Sequence, residues 1–194
     1  MNDKSIRKRE YILEVSRKVF AQKGYKNVTM KDIVDACEIS RGGLYIYFDC
    51  VETLFRAVIE NEQKKNDPEE AALIPENPCN ADILTLFFRE QKKEIFDKKN
   101  SLIGAIYEFS FMQKSYREET IITKQKEAGE MFLVDLIKKG IQTGEFKETE
   151  PLIMARHILL ILEGMKIMSQ TGKITEKEVN DELVFIMKML LNTN

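Results

Sequence analysis

Histidine is nearly missing from this chain, with His157 alone among 194 residues. That excludes a histidine-built metal centre and takes away the commonest general acid and base. Cysteine is scarce as well. Cys37, Cys50 and Cys79 are odd in number and widely spaced, which speaks against a disulfide framework and for a reducing compartment, and no pair has metal-ligand spacing. Long hydrophobic runs are lacking too. The densest in the second half, ILLIL at 158–162, falls far short of the roughly 20 residues a membrane span needs. The first ten residues, MNDKSIRKRE, carry charges but no apolar stretch, so no signal peptide is expected. A cytoplasmic chain without membrane contact, metal or cofactor is expected. Nor does any convergent set of nucleophile, acid and base stand out, which makes a small helical enzyme the weakest of the function classes weighed below.

What is present is an ordinary globular composition, 43% hydrophobic and 32% charged, with enough apolar material for a core that needs no staples. The net charge of −2 hides a strong asymmetry. Met1 to Lys31 holds nine Lys and Arg against three acids, a balance of +6, which leaves −8 for the rest. A basic end on an acidic body points to a polyanion as that end's partner.

Helical spacing dominates, and no alternating strand pattern competes with it. A first helix is expected from about Ser5 to Lys23, stopped by Gly24. Thr29 with Asp32 has capping-box spacing and opens a short second helix, in which Met30, Ile33, Val34 and Cys37 share a face. After the turn at CEIS, Ser40 is a cap for a third short helix from Arg41 to about Phe48, with Leu44 and Phe48 facing inward. A fourth begins near Cys50 and runs through VETLFRAVIENEQKK to about 66. Residues 66–82 carry three of the four prolines, so a linker is expected over about 66–80. Five further helices are expected at about 81–99, 101–115, 117–143, 150–171 and 175–192. Pro151 suits a first turn, and Thr175 with Glu178 makes another capping box. The fold class is therefore all-α with about nine helices: an N-terminal three-helix module, 1–49, and a C-terminal helical domain, 50–194.

The turn between the second and third helices makes a helix-turn-helix candidate. Arg41 stands where a recognition helix enters the major groove, and its guanidinium forks onto the N7 and O6 acceptors of guanine. Gly42 and Gly43 remove bulk beside it, so the backbone approaches a ligand closely. Tyr45 and Tyr47 offer hydroxyls to phosphates or rings to sugars, contacts that fix register. Lys26, Thr29 and Lys31, at the front of the preceding helix, suit a phosphate. Lys4, Arg7 and Lys8 add charge from the first helix. Each has a plainer reading, as solvated surface, a half-buried ring or a helix kink; their concentration in one basic module favours DNA.

The segment ILEVSRKVFAQKGYKNVTMKDIVDACEISRGGLYIYFDCVETLF, 12–55, resembles the DNA-binding region of the TetR family of transcriptional repressors. The resemblance rests on a first helix ending in F-x-x-x-G-Y, a following V-T-x-x-x-I, and then S-x-x-x-L-Y-x-Y-F. It covers about a quarter of the chain, and KKGIQTGEF at 138–146 is similar to a turn often met in the family's second domain. The resemblance implies a homodimer built through the last two helices, a palindromic double-stranded DNA operator and a small-molecule effector in the second domain. It carries DNA contacts onto Thr29, Lys31, Arg41, Gly42, Gly43, Tyr45 and Tyr47, with Lys26 and the cap Ser40 beside them. The sequence departs at Val51, where relatives often place a phosphate-holding Lys, and at Gly42 and Gly43, where many relatives read bases with Thr, Ser or Gln.

The last two helices carry apolar residues on nearly every side: twelve of seventeen from Leu152 to Met168, eight of nine from Leu183 to Leu191. Such helices need cover on two sides, and a second copy of the chain is the simplest cover. For an effector, Phe88, Ile103, Tyr107, Glu108, Phe111 and Phe132 are the candidate lining, although most aromatics in such an inventory are plain core. Glu108, inside IYEFSF, is expected to face water or a cationic ligand. Cys50, at a helix start, is either a passive small side chain or a redox-sensitive thiol. The expected function is thus an effector-responsive repressor released by a small, mainly apolar ligand. The alternatives are a helical DNA-binding or interaction protein without an effector, and the enzyme.

Overall fold

A computed structural model describes residues 3–62, 77–97, 100–113 and 121–192, with the side chains of 121 and 122 excepted. Among the described residues the chain forms nine helices: α1 (Asp3–Lys23), α2 (Met30–Cys37), α3 (Arg41–Tyr45), α4 (Val51–Glu62), α5 (Asn80–Phe96), α6 (Ile103–Met112), α7 (Ile121–Gln142), α8 (Pro151–Gln170) and α9 (Glu176–Leu190). The only strand-like pairing among these residues is an isolated bridge between Phe146 and Leu191. The all-α expectation holds, with helix ends shifted by a few residues. Most of the expected linker lies outside the described residues. The third helix stops at Tyr45 rather than near Phe48, because Tyr47 N–H turns back to Leu44 O, three residues behind, at 2.9 Å. That tightened turn still buries Phe48, at 4% exposure.

Packing divides the chain into two compact units. The first holds α1–α4 together with α6, and the second holds α5 and α7–α9. The composition-based line at 49/50 isolates the DNA-reading segment, whereas packing groups α4 and α6 with it.

In the first unit, α1 contributes Ile12, Leu13 and Phe20, α2 Ile33 and Cys37, α3 Leu44, and α4 Leu54, Phe55 and Val58, all buried. The spacing i, i+3, i+4 puts each set on one face. An aromatic cluster ties the elements together. The Phe55 ring lies 4.6 Å from Phe20, 5.0 Å from Tyr25 and 5.3 Å from Phe109, and Tyr25 meets Phe109 edge-on at 4.8 Å. Each such pair adds about 0.5–1.5 kcal/mol beyond the area it buries. Arg56 lays its guanidinium over Phe109 at 5.0 Å.

The second unit buries Leu84, Phe88 and Ile95 of α5, Leu133, Leu136 and Ile137 of α7, Ile158, Leu162 and Met165 of α8, and Val179, Leu183, Ile186 and Leu190 of α9. Phe146 closes this core by packing against Gly140, where a methyl group would overlap its ring. The KKGIQTGEF turn therefore has a packing reason for its first glycine. Glu145 caps the start of α5, accepting from Asn80 Nδ2 at 2.7 Å and Ala81 N–H at 3.0 Å. Burial pushes its carboxyl up, but the hydrogen bonds from Asn80, Ala81 and Thr143 outweigh that and hold it below the usual range.

Candidate nucleic-acid interface

The helix-turn-helix is fixed by local chemistry. Thr29 adopts extended backbone, its hydroxyl accepts from Asp32 N–H at 3.2 Å, and Asp32 Oδ2 accepts from Thr29 N–H at 2.8 Å. Lys23 Nζ reaches Asp32 Oδ1 at 2.6 Å. That ammonium first, then the Thr29 hydroxyl and amide, holds the Asp32 carboxyl far below the ordinary carboxylate range. The second helix ends at Glu38, which takes the left-handed conformation at φ 53°. The turn then delivers Ser40, whose Oγ accepts from Gly43 N–H at 3.1 Å and starts α3. Leu44 and Phe48 seat the recognition helix on the core, which leaves its other face to solvent.

On that face Arg41 and Gly42 are exposed, and Tyr45 is 37% exposed. The Arg41 guanidinium lies over the Tyr45 ring at 5.5 Å, an i,i+4 pair that holds it along the helix. A Cβ at Gly42 would meet nothing within 4 Å beyond its own turn of helix, so no packing neighbour requires this glycine. Gly43 is tighter: a Cβ there would come within 3.1 Å of Ser40 Oγ and 3.6 Å of Lys8 Nζ. Lys8 of α1 thus stands beside the recognition helix. Tyr47 is half-buried, and its hydroxyl shares a hydrogen bond with Ser5 Oγ at 3.3 Å. Lys26 and Lys31 are exposed. The Thr29 hydroxyl, by contrast, is engaged with Asp32 as donor and acceptor, so its first task is capping. Val51 is half-buried at the head of α4, and Cys50 before it is exposed.

Two features of this surface escaped the sequence reading. Ile46 is 78% exposed between the two tyrosines. Helical spacing carries the signal, since Ile46 lies roughly 200° around from the buried Leu44. The second is Glu108. Its carboxylate has a partner inside the protein, since Oε2 accepts from Lys26 N–H at 2.9 Å. Gly24, at φ +73°, makes room: a Cβ there would lie 2.7 Å from Glu108 Oε2. Nothing in the local sequence announces a contact across 82 residues.

The remaining effector candidates divide between the units. Ile103, Tyr107, Glu108 and Phe111 sit on α6 in the first unit. Ile103 is buried, and Tyr107 stacks on the 79%-exposed Phe111 with centroids 6.3 Å apart. Phe88 and Phe132 belong to the second unit, where Phe87 touches both rings at 5.8 and 5.5 Å. A cleft of about 230 Å³ lies between α5 and α9, lined by Thr85, Phe88, Arg89, Lys92, Leu183, Val184 and Met187. Of the six candidates only Phe88 lines it.

A short recognition helix, capped, braced from behind and flanked by exposed cations, defines a DNA-binding transcriptional regulator of the helix-turn-helix class. Comparison with known proteins carries this further. Residues 12–58 match the family model for bacterial regulatory proteins of the tetR family, and residues 83–180 match that for the tetracyclin repressor-like C-terminal domain. The chain belongs to the tetR family. The uncharacterized HTH-type regulator YfiR of Bacillus subtilis is 29% identical over 160 residues, covering 79% of this chain and 76% of that protein. YhgD of the same organism is also 29% identical over 160 residues, covering 78% of each. Among solved structures, a regulator from Saccharomonospora viridis in complex with choline superimposes with TM-score 0.80 at 16% identity, covering 95% of this chain and 98% of that one. A TetR-family regulator from Cytophaga hutchinsonii gives 0.75 at 19% identity over the whole of both chains. At these identities the superpositions carry the fold. Among the described residues no helix is long and apolar enough to cross a membrane.

Proposed function

We propose that the chain is a cytoplasmic repressor that binds a roughly palindromic operator as a homodimer and releases it when a small, mainly apolar effector binds. The observation that carries the DNA reading is the solvent-facing side of α3, where Arg41 and Gly42 are exposed, Tyr45 is partly so, and Lys8 stands beside Gly43. Arg41 serves as the guanine reader, Gly42 and Gly43 permit close approach, and Tyr45, Tyr47, Lys26 and Lys31 supply backbone contacts, with Thr29 and Ser40 capping the two helices. Support for the dimer comes from uncovered apolar side chains on the last two helices: Ile153 at 67%, Leu160 at 68% and Ile167 at 49% on α8, and Phe185 at 57% on α9. Support for an effector comes from the α5–α9 cleft. It lies below the roughly 300–1,000 Å³ of drug-sized sites, so the ligand is small. The Saccharomonospora viridis regulator of the same fold holds choline, and a small organic ligand of this kind supports the reading.

Release is a population shift, and it requires an effector that prefers the conformer mismatched to the half-site spacing. The test is operator binding by fluorescence anisotropy, on duplexes selected from random DNA. Arg41→Ala weakens binding by about 1–3 kcal/mol and relaxes selectivity at one position per half-site. Unchanged affinity and selectivity would remove Arg41 from the role of base reader.

A further inference from the structure

Ile46 has no part in the DNA reading given so far, and its surroundings are unusual. It is more exposed, at 78%, than any other large apolar side chain among residues 3–62. It is not on a loose segment. Its backbone is helical, at φ −62° and ψ −29°, and its N–H donates to Gly42 O at 3.2 Å. A β-branched side chain on helical backbone has one strongly preferred χ1 rotamer, so the branch at Cβ is held in a fixed direction. Both neighbours are occupied: Tyr45 lies under the Arg41 guanidinium, and Tyr47 shares a hydrogen bond with Ser5. No ring folds over to cover Ile46.

Its position along the helix matters more. Gly42 lies four residues before Ile46, on the same face, and a Cβ at Gly42 would meet no protein atom within 4 Å beyond its own turn of helix. The outward face of the recognition helix is therefore bare backbone at one end and a rigid apolar knob one turn on. Bare backbone lets that face approach base edges closely, and close approach is what brings a short side chain such as Ile46 into contact. Base edges in the major groove present hydrogen-bonding groups and a single apolar group, the C5 methyl of thymine.

We propose that Ile46 is a specificity-determining residue that packs on a thymine methyl in each half-site, with Gly42 setting the approach. The inference rests on α3 entering the major groove. It adds an apolar reader to a surface otherwise read through Arg41 and the tyrosines, and it requires a thymine at a fixed distance from the base that Arg41 reads.

The test uses the full chain and the duplex it selects from random DNA. Each thymine of one half-site and its symmetry mate is replaced in turn by deoxyuridine, which removes the methyl and nothing else. For the unmodified protein, one such pair of replacements weakens binding by about fourfold per methyl, the loss expected for one buried methyl-sized group. Ile46→Ala binds the thymine duplex more weakly but is indifferent to that same replacement, while Ile46→Val keeps most of the sensitivity. Because Ile46 is exposed, its variants keep the parent's melting temperature, which separates this effect from misfolding. Equal tolerance of every deoxyuridine by the unmodified protein overturns the proposal. So does an Ile46→Ala variant that retains the full penalty. If no duplex is enriched at all, the underlying DNA reading falls first, and that outcome is distinct from the other two.

Discussion

The three thiols show how far neighbours a few ångströms away decide chemistry. Cys50 is exposed at the head of α4, and hydrogen bonds from the Thr53 backbone and side chain pull its thiol below the ordinary value. Cys79 is exposed at the head of α5, yet its hydrogen bond with the Asp82 side chain pushes its thiol up. Burial raises Cys37. A lowered thiol pKa means more thiolate at any pH below it, and thiolate is the reacting form. Near pH 7.5, iodoacetamide should therefore label Cys50 first, Cys79 more slowly and Cys37 only on unfolding, as read by peptide mass spectrometry. The rate at Cys50 should also rise with pH earlier than that of a free thiol. Labelling of Cys79 ahead of Cys50 would show that the Thr53 hydrogen bonds do not govern the site. Cys50 and Cys79 each precede a helix and differ in the residue three positions on, Thr53 in one case and Asp82 in the other. Only the partner's charge separates them: a neutral hydroxyl and amide in one case, a carboxylate in the other.

Among the elements, those specified by short-range chemistry were legible and those specified across the fold were not. The capping boxes at Thr29–Asp32 and Thr175–Glu178 span three residues each and form as their spacing implies. The buried faces of α2 and α3 follow from helical period. The candidate effector lining did not resolve in this way, because an apolar inventory is the same for a core and a cavity: Phe88 and Ile103 are buried, while Phe111 is 79% and Phe132 42% exposed. Glu108 is the plainest case. A carboxylate on an apolar helix suggested water or a cationic ligand, and its partner within the protein is the Lys26 amide in the turn before α2. That contact, with Phe109 against Tyr25 and Phe55, holds α6 on the helix-turn-helix. Glu108→Ala should therefore speed hydrogen exchange at the Lys26 amide by an order of magnitude and cost about 1 kcal/mol of stability, the scale of one lost hydrogen bond. Glu108→Gln, whose amide oxygen is still an acceptor, should recover most of both. An unchanged exchange rate in Glu108→Ala would show that the turn is held without α6.

At the scale of the whole molecule, two sequence-wide features meet in one measurement: the +6 balance of the first 31 residues and the uncovered apolar stripe on α8. Ile153, Leu160, Gly164 and Ile167 recur at spacings of seven, four and three, which keeps them on one side of the helix. If that side meets its symmetry mate, a carboxylate at its centre must be buried unpaired in the dimer or left in water by the monomer. Leu160→Glu should thus sediment as a folded monomer, since Leu160 is 68% exposed in the protomer and the substitution costs its own fold little. Salt dependence then counts the DNA contacts. If Lys4, Lys8, Lys26 and Lys31 each face a phosphate in both protomers of a dimer, about eight counterions are displaced, and log K should fall against log salt with a slope of roughly −7. The monomeric variant keeps one set and should show about half that slope, with correspondingly weaker affinity. A variant that sediments as a dimer would move the interface off α8. A true monomer that kept the full slope would mean that one protomer makes all the phosphate contacts, so that a second basic end is not the source of the counterions released.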